Sequence, residues 1–377
     1  MASVPADRVR AQIEALSTTG FDVFSFATTA LNTLNRAVPF TAACIATADP
    51  ATELLTGAVK TGSVVGASDE LWAHFEYEVP DLYDHRSVAR LPSGVTSLYA
   101  ETDGHPERSP RFVEHLRPTF GFTDELRAAV RVDGTTWGFF TLYREDDRTP
   151  FTTLEHQFIA GVGVAFATGL RAGLLVGLAT APLTAVDGPA VLVIDRNGEV
   201  AQASIGAAAR LADLDGDATA HDELPLALRS LIGSARQFAA GHNPLVPRMR
   251  LRTRSGQWMV AHASPLVGRD GGSTDVVVTI EEARPPEIVP LVVAAFGLTS
   301  RERDVVQLVL QGIDTAEISR TLHLSTYTVQ DHLKSVFGKV GVRSRRELIA
   351  RVFYDQYAPR IGAGSALAPS GWFAEPV

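Results

Sequence analysis

Between Ser325 and Val340 the chain sets Tyr327, Gln330, Asp331 and Lys334 at spacings that one helical face would gather. With successive residues about 100° apart, Val329, Leu333, Val336 and Val340 fall into a narrow apolar stripe on the opposite side. The stripe must face other helices, which leaves the polar groups for solvent or a partner. Their chemistry suits the edges of nucleic-acid bases. An amide such as Gln330 can pair bidentately with adenine, while Asp331 can accept only from cytosine N4 and repels phosphate.

The flanking residues write the elements that would carry this face. Thr299 is followed by Glu302, Asp314 by Glu317 and Ser344 by Glu347, each a reciprocal helix-start signal. Gly312 and Gly341 stand just past the first and third helices so defined, where a left-handed residue is needed. Four helices are expected, the second from Thr315 to Leu322 and the fourth from Arg345 to Tyr354. Only His323, Leu324 and Ser325 separate the second from the third. That is the spacing of a helix-turn-helix, whose second helix enters the major groove of DNA.

Charge is distributed to match. The whole chain has 34 basic and 43 acidic residues, a net of -9, which alone argues against binding a polyanion. Residues 298–357 nevertheless hold nine Lys/Arg against seven Asp/Glu, and Thr326 to Arg351 holds six against two. Positive charge therefore concentrates on the third helix and the turn after it, as backbone contacts require. So small a surplus implies weak binding by one copy, and two copies on two half-sites are the usual remedy.

The stretches LTSRERDVVQLVLQG and AEISRTLHLSTYTVQDHLKSVFGKVGVRSRREL resemble the LuxR/GerE type of DNA-binding domain found at the C-terminus of many bacterial transcription regulators. By this resemblance Gln330, Asp331 and Lys334 occupy base-facing positions, and Thr328, Lys339, Arg343 and Arg345 are placed for phosphates. Thr326 and Tyr327 complete the expected DNA-binding set. The family usually has a lysine directly after the Thr-Val of its recognition helix, where this chain has Gln330, implying a different site preference. The family places its dimer contact on the fourth helix, here represented by Arg351 and Tyr354. Double-stranded DNA is the expected partner, with a second copy of the chain and RNA polymerase beside it.

The preceding residues read as two further modules, consistent with a 377-residue chain that is 45% apolar and 20% charged. Breaks are expected at Ala181 to Ala190 and at the three prolines of Ala283 to Pro290. In the first module, Ala42 to Thr47 and Glu53 to Lys60 read as paired strands. Ala128 to Val132 turns at Asp133-Gly134 into Trp137 to Tyr143, and Thr152 with Glu155 opens a long helix. This order, with TTWGFFTLYREDDRTPFTTLEHQFIAGVG, resembles a GAF domain, a sensory fold that often binds a small molecule over its sheet. Trp72, Phe75, Tyr77, Tyr83, Phe120 and Phe122 are the candidates for lining a pocket, although filling a core is the default for such residues. In the second module, Val191 to Ile194 turns at Asp195 to Gly198, and Arg248 to Thr253, Trp258 to Ala263 and Asp275 to Ile280 close the fold. That pattern resembles a PAS domain. Arg248, Arg250, Arg252 and Arg254 share one strand face, expected to be solvated or to meet an anion.

The expected architecture is thus multidomain. It comprises an α/β (α+β) GAF-like domain over 18–180, an α+β PAS-like domain over 189–282, an all-α four-helix LuxR-type helix-turn-helix over 291–357, and a flexible tail over 358–377. Phe158 to Leu178 carries one charge, Arg171, whose insertion into lipid would cost about 2.5 to 3.5 kcal/mol. It is read as a soluble helix, with no membrane partner. Its small-residue ridge of Gly161, Ala165, Gly169, Gly173 and Gly177 is expected to pair with the same helix of a second copy. With Cys44 alone, no disulfide and no multi-thiolate metal site can form, and the absence of a signal segment implies a cytoplasmic location.

Catalytic patterns are missing: no G-x-S-x-G, no G-x-x-x-x-G-K-[ST], no H-E-x-x-H and no Cys/His cluster at zinc spacing. His221-Asp222-Glu223 reads as a solvated turn, and Asp146-Asp147 follows a late hairpin rather than forming an early phosphoacceptor pair. No cofactor or metal and no enzyme activity are expected. The favoured function is a transcription regulator whose front modules sense an unidentified small-molecule effector or a partner. The alternative is constitutive DNA binding behind structural, dimerising or cryptically catalytic modules.

Overall fold

The structure, a computed structural model, describes residues 6–145, 149–176, 189–214, 224–254, 256–267 and 275–352. The expectations placed on Asp146-Asp147, Gly177, His221-Asp222-Glu223, Tyr354 and the tail 358–377 lie outside the described residues. Two compact units result, one within residues 1–176, 188–254 and 259–281, the other chiefly beyond 282.

Helices α1 (Ala6–Leu16) and α2 (Val23–Leu34) precede the first sheet. Its strands are β1 (Ala42–Ala48), β2 (Leu55–Thr61), β3 (Val95–Ser97), β4 (Phe122–Val132) and β5 (Thr135–Glu145). They lie in the order β2-β1-β5-β4-β3, with every neighbour antiparallel. Asp133 and Gly134 join β4 to β5 with φ of 53° and 73°, the two-residue turn whose hand matches the twist of the strands. Between β2 and β4 the aromatic-rich segment folds into α3 (Asp69–Tyr77), α4 (His85–Arg90), α5 (Leu98–Glu101) and α6 (Arg117–Phe120). Ser68, Asp84 and Ser97 start three of these by accepting a backbone N–H. Alternation along β5 sorts the two faces of the sheet. Thr141 and Tyr143 share a cavity with α3, while Phe140 packs on Phe166 of α7 (Thr153–Gly173).

The capping box at Thr152 and Glu155 opens α7 as its sequence predicts. The small-residue ridge is used differently from the expectation: it is covered by helices of its own chain. A Cβ on Gly169 would lie 2.1 Å from the Phe26 ring, one on Gly173 2.8 Å from the Val23 nitrogen, and one on Gly161 2.8 Å from the Arg10 guanidinium. Ala165 is buried with them. Glycine here lets α1 and α2 approach closely, so Gly169 and Gly173 are not open to a second copy. No helix among the described residues is long and apolar enough to cross a membrane.

The second sheet contains β6 (Ala190–Ile194), β7 (Val200–Ala203), β8 (Arg248–Arg252), β9 (Trp258–Pro265) and β10 (Val276–Glu282), in the order β7-β6-β10-β9-β8. Strand by strand this repeats the order of the first sheet. Helices α8 (Ala207–Leu214) and α9 (Leu226–Ala239) fill the middle.

The two sheets interlock within one unit. Leu54 belongs to the core of the second module and Leu226 to the core of the first. Asp49 accepts from the Arg250 backbone N at 2.8 Å and from its guanidinium at 2.7 and 2.9 Å. Arg252 donates to the carbonyls of Leu174 and Val176, each at 2.7 Å, at the end of α7. Two members of the arginine stripe therefore fasten the modules together, and only Arg248 and Arg254 are exposed.

The other unit is helical: α10 (Pro285–Ala295), α11 (Ser300–Leu310), α12 (Thr315–Leu322), α13 (Thr326–Val340) and α14 (residues 345–352). Of the three prolines expected to break the chain, Pro285 and Pro286 instead begin α10, where a missing N–H costs nothing and φ is preset, and Pro290 lies inside the helix. Val305, Val306, Val309, Ile318, Val329, Leu333, Val336, Val340, Leu348 and Val352 form its core.

Gly169→Ala should destabilise the first unit by at least about 1 to 3 kcal/mol through overpacking against Phe26. Gly163→Ala, whose Cβ meets nothing within 4 Å, should stabilise it by about 1 kcal/mol through helix propensity. Urea unfolding of the two variants checks this; equal effects would contradict an internal role for the ridge.

Candidate nucleic-acid interface

Helix α13 is held by a buried carboxylate. Glu302, 4% exposed, forms the full capping box of α11 by accepting from the Thr299 backbone N at 2.7 Å. The same carboxylate accepts from Ser335 Oγ and Lys339 Nζ, both at 2.6 Å and both on α13. Burial would raise this carboxyl, but the hydrogen bonds from Lys339, Ser335 and Thr299 outweigh it and hold the group at about 2.

The other expected helix starts are simpler. Asp314 accepts from Glu317 N at 2.9 Å, and Ser344 Oγ accepts from Glu347 N at 3.1 Å. The Glu347 carboxylate reaches one residue further back than its sequence suggests, to the Arg343 N at 2.8 Å. The turn between α12 and α13 passes through His323 at φ 53°, a left-handed residue that is not glycine. Leu324 N donates to Ser319 O at 2.9 Å, and Arg301 donates to Leu322 O at 3.0 Å, so the carbonyls at the end of α12 are satisfied.

On α13 the predicted stripe of Val329, Leu333, Val336 and Val340 is buried, and Thr326, Tyr327, Gln330, Asp331 and Lys334 are exposed. Tyr327, at 75% exposure, is a large ring held out from its helix. Three residues assigned to phosphates are engaged inside the domain. Thr328 belongs to the helix cap, its N donating to Ser325 Oγ at 3.0 Å. Lys339 is paired with Glu302, and the Arg345 guanidinium donates to the Ile313 carbonyl. Arg343 is exposed without an ion pair among the described residues, and so are two cations that sequence spacing did not single out, Arg320 and Arg346. Of the adjacent pair 345 and 346, only contacts distant in sequence decide which arginine points out. Arg351 is half-buried on α14.

The aromatic candidates of the first module divide. Trp72 and Tyr77 line a cavity between α3 and the sheet. Phe120 and Phe122 extend a ring stack from Trp72 to Tyr143, and Phe75 stacks on His115. Tyr83 donates to Glu125 at 3.0 Å inside a buried network that also holds Arg111, Arg127 and Glu76. Burial would raise Glu125, but Arg111 and Arg127 outweigh it and keep the group below the ordinary carboxylate range. Burial also pushes the His115 imidazole down to about 4. Charged residues in the interior strand β4, Glu125 and Arg127, were the sequence signal for this network. Among the described residues no His/Cys/Asp/Glu group is arranged to hold a metal ion.

A three-residue turn delivering a polar, solvent-facing second helix defines a helix-turn-helix of the DNA-binding class. Residues 297–352 match the family described as bacterial regulatory proteins, luxR family. The chain is 36% identical over 55 residues to the spore germination protein GerE of Bacillus subtilis, covering 15% of this chain and 74% of that protein. It belongs to this family. A putative HTH-type transcriptional regulator of Aeromonas salmonicida is 47% identical over 95 residues, 24% of this chain. The chain spans 44% of that relative's length. A solved structure of the Vibrio cholerae VqmA dimer aligns over 47% of this chain and 84% of its own at 17% identity, with a TM-score of 0.22.

Glu302 has a depressed folded-state pKa, so its stabilisation is complete above the unfolded value of about 4.3 and is lost as pH falls toward 2. Hydrogen-exchange protection of α11 and α13 amides should fall by of order 2 kcal/mol across that window. Glu302→Gln should lower protection at neutral pH and abolish the pH dependence; an unchanged profile would contradict the role given to this carboxylate.

Proposed function

We propose that the protein is a transcription regulator that reads duplex DNA with α13 and acts as a dimer under the control of its two sheet modules. The observation that carries the reading is the exposed face of Tyr327, Gln330, Asp331 and Lys334, opposite a fully buried stripe, within the family-matched residues. Gln330 and Asp331 point to a preference for adenine and cytosine contacts, with Lys334 as the third base-facing group. Lys334, Arg320, Arg343 and Arg346 are the exposed cations left to meet DNA. The dimer contact falls to the last helix, including Arg351.

The first sheet module is read as GAF-like and the second as PAS-like, together sensing a small molecule or partner. Strand pair, helical middle and closing strands occur in both, and the cavity between α3 and the sheet of the first supports the sensory role. An effector acts by differing in affinity for two arrangements of the paired DNA-binding domains. The reading places the protein in the cytoplasm, with RNA polymerase as a partner and no catalytic step of its own.

On a duplex enriched from a random library by the full chain, Lys334→Ala should cost about 1 to 3 kcal/mol and relax the preference at its contacted base. Arg346→Ala should weaken all sequences evenly and flatten the salt dependence by about one unit of slope. Quantitative binding titrations at several salt concentrations check this; equal, sequence-blind losses from both variants would overturn the assignment.

A further inference from the structure

The cavity of about 50 Å³ between α3 and the first sheet is lined by charged groups that already answer one another. Lys60 Nζ lies 2.6 Å from Asp69, and Glu76 lies 2.7 Å from both Arg127 Nη1 and His85 Nδ1. Each Lys, Arg and carboxylate on these walls is paired, while His85 Nδ1 makes no hydrogen bond, and a charged molecule entering here would have to compete with the buried Glu76–Arg127 pair. Other polar groups on the same walls are unengaged. Tyr143 and Thr141, 2% and 4% exposed, make no side-chain hydrogen bond among the described residues, and Trp72 Nε1 is buried without an acceptor. The indole can only donate, and the two hydroxyls can donate or accept. Buried groups of this kind call for a partner with at least one acceptor. Phe139 adds an apolar ring surface.

One wall comes from the second module. Leu226 opens α9, which is seated too closely to slide: a Cβ on Gly233 would lie 2.4 Å from Tyr77 Cβ. Ser230 donates to Leu55 O at 3.0 Å and Gln237 to Tyr77 O at 2.8 Å. A space of this volume holds roughly three to five water-sized groups, so anything larger must push on Leu226.

We propose that this cavity binds a small uncharged molecule carrying a hydrogen-bond acceptor such as a carbonyl, and that Leu226 of the second module sets its upper size. The proposal rests on the sensory reading above and gives it a ligand class. It also makes the second module the element that first feels a larger ligand.

Acetamide, acetate and acetamidinium share one size and differ in charge, and the Trp72 indole N–H resonance of the isotope-labelled full chain reports on the cavity. Acetamide should shift that resonance saturably while the two ions leave it unmoved. Thr141→Val should weaken acetamide by about fivefold, the factor carried by one net hydrogen bond. Leu226→Ala should admit benzamide, which the wild-type protein excludes. Ions that shift the signal as strongly as acetamide, or a signal that no probe moves in either wild type or Leu226→Ala, would overturn the proposal, the latter leaving water as the occupant. A charged effector that changes DNA affinity from this cavity would overturn the ligand class alone. Acetamide binding as expected, with no cavity ligand ever changing DNA affinity, would instead remove the sensory reading.

Discussion

Buried charge must be paired, and that requirement organises the molecule more than any single apolar contact. Glu302 lies under α13, Glu125 within the first module, and Asp49 at the junction of the two sheets, each almost wholly removed from solvent. An isolated carboxylate in such surroundings would lose its hydration without compensation. Each therefore draws cations inward: Lys339 to Glu302, Arg111 and Arg127 to Glu125, Arg250 to Asp49. Such pairs fix geometry more surely than they add net stability. Ser335 and Lys339 tie α13 to the start of α11 through one carboxylate, which sets the angle at which the polar face leaves the bundle.

The same requirement decides which cations remain for a polyanion. Lys339 and Arg345, spaced like phosphate contacts, are engaged within the domain, while Arg320 and Arg346 stay exposed. With few free positive charges and a net of -9 over the chain, attraction to DNA as a charged rod is weak. Under the proposed function, recognition would lean on the hydrogen-bonding groups of α13 and on pairing of two copies, which favours selectivity over tight non-specific association.

Local rules made much of this legible. Caps at Thr299, Asp314, Ser344 and Thr152, glycines at 312 and 341, the Asp133-Gly134 turn and the buried stripe of α13 each depend on residues within a turn of one another. What escaped depends on partners distant in the chain. The glycine ridge of α7 says that something approaches closely, but only the fold shows that Phe26 and Val23 do so. The alternating arginines of β8 say that they share a face, but Asp49 and the end of α7 lie far away in sequence. Prolines 285 and 286 read equally as a break or as a helix start. For the cavity, aromatic content drew attention to the right segment, yet its polar walls come from five separate elements.

The central claim, that α13 lies against base pairs, is tested most directly by position-specific cross-linking in the full chain. A photoreactive side chain replacing Tyr327 should label the bases of an enriched duplex, and one replacing Gln307, exposed on α11, should not. Labelling from position 307 that equals or exceeds labelling from 327 would contradict the account.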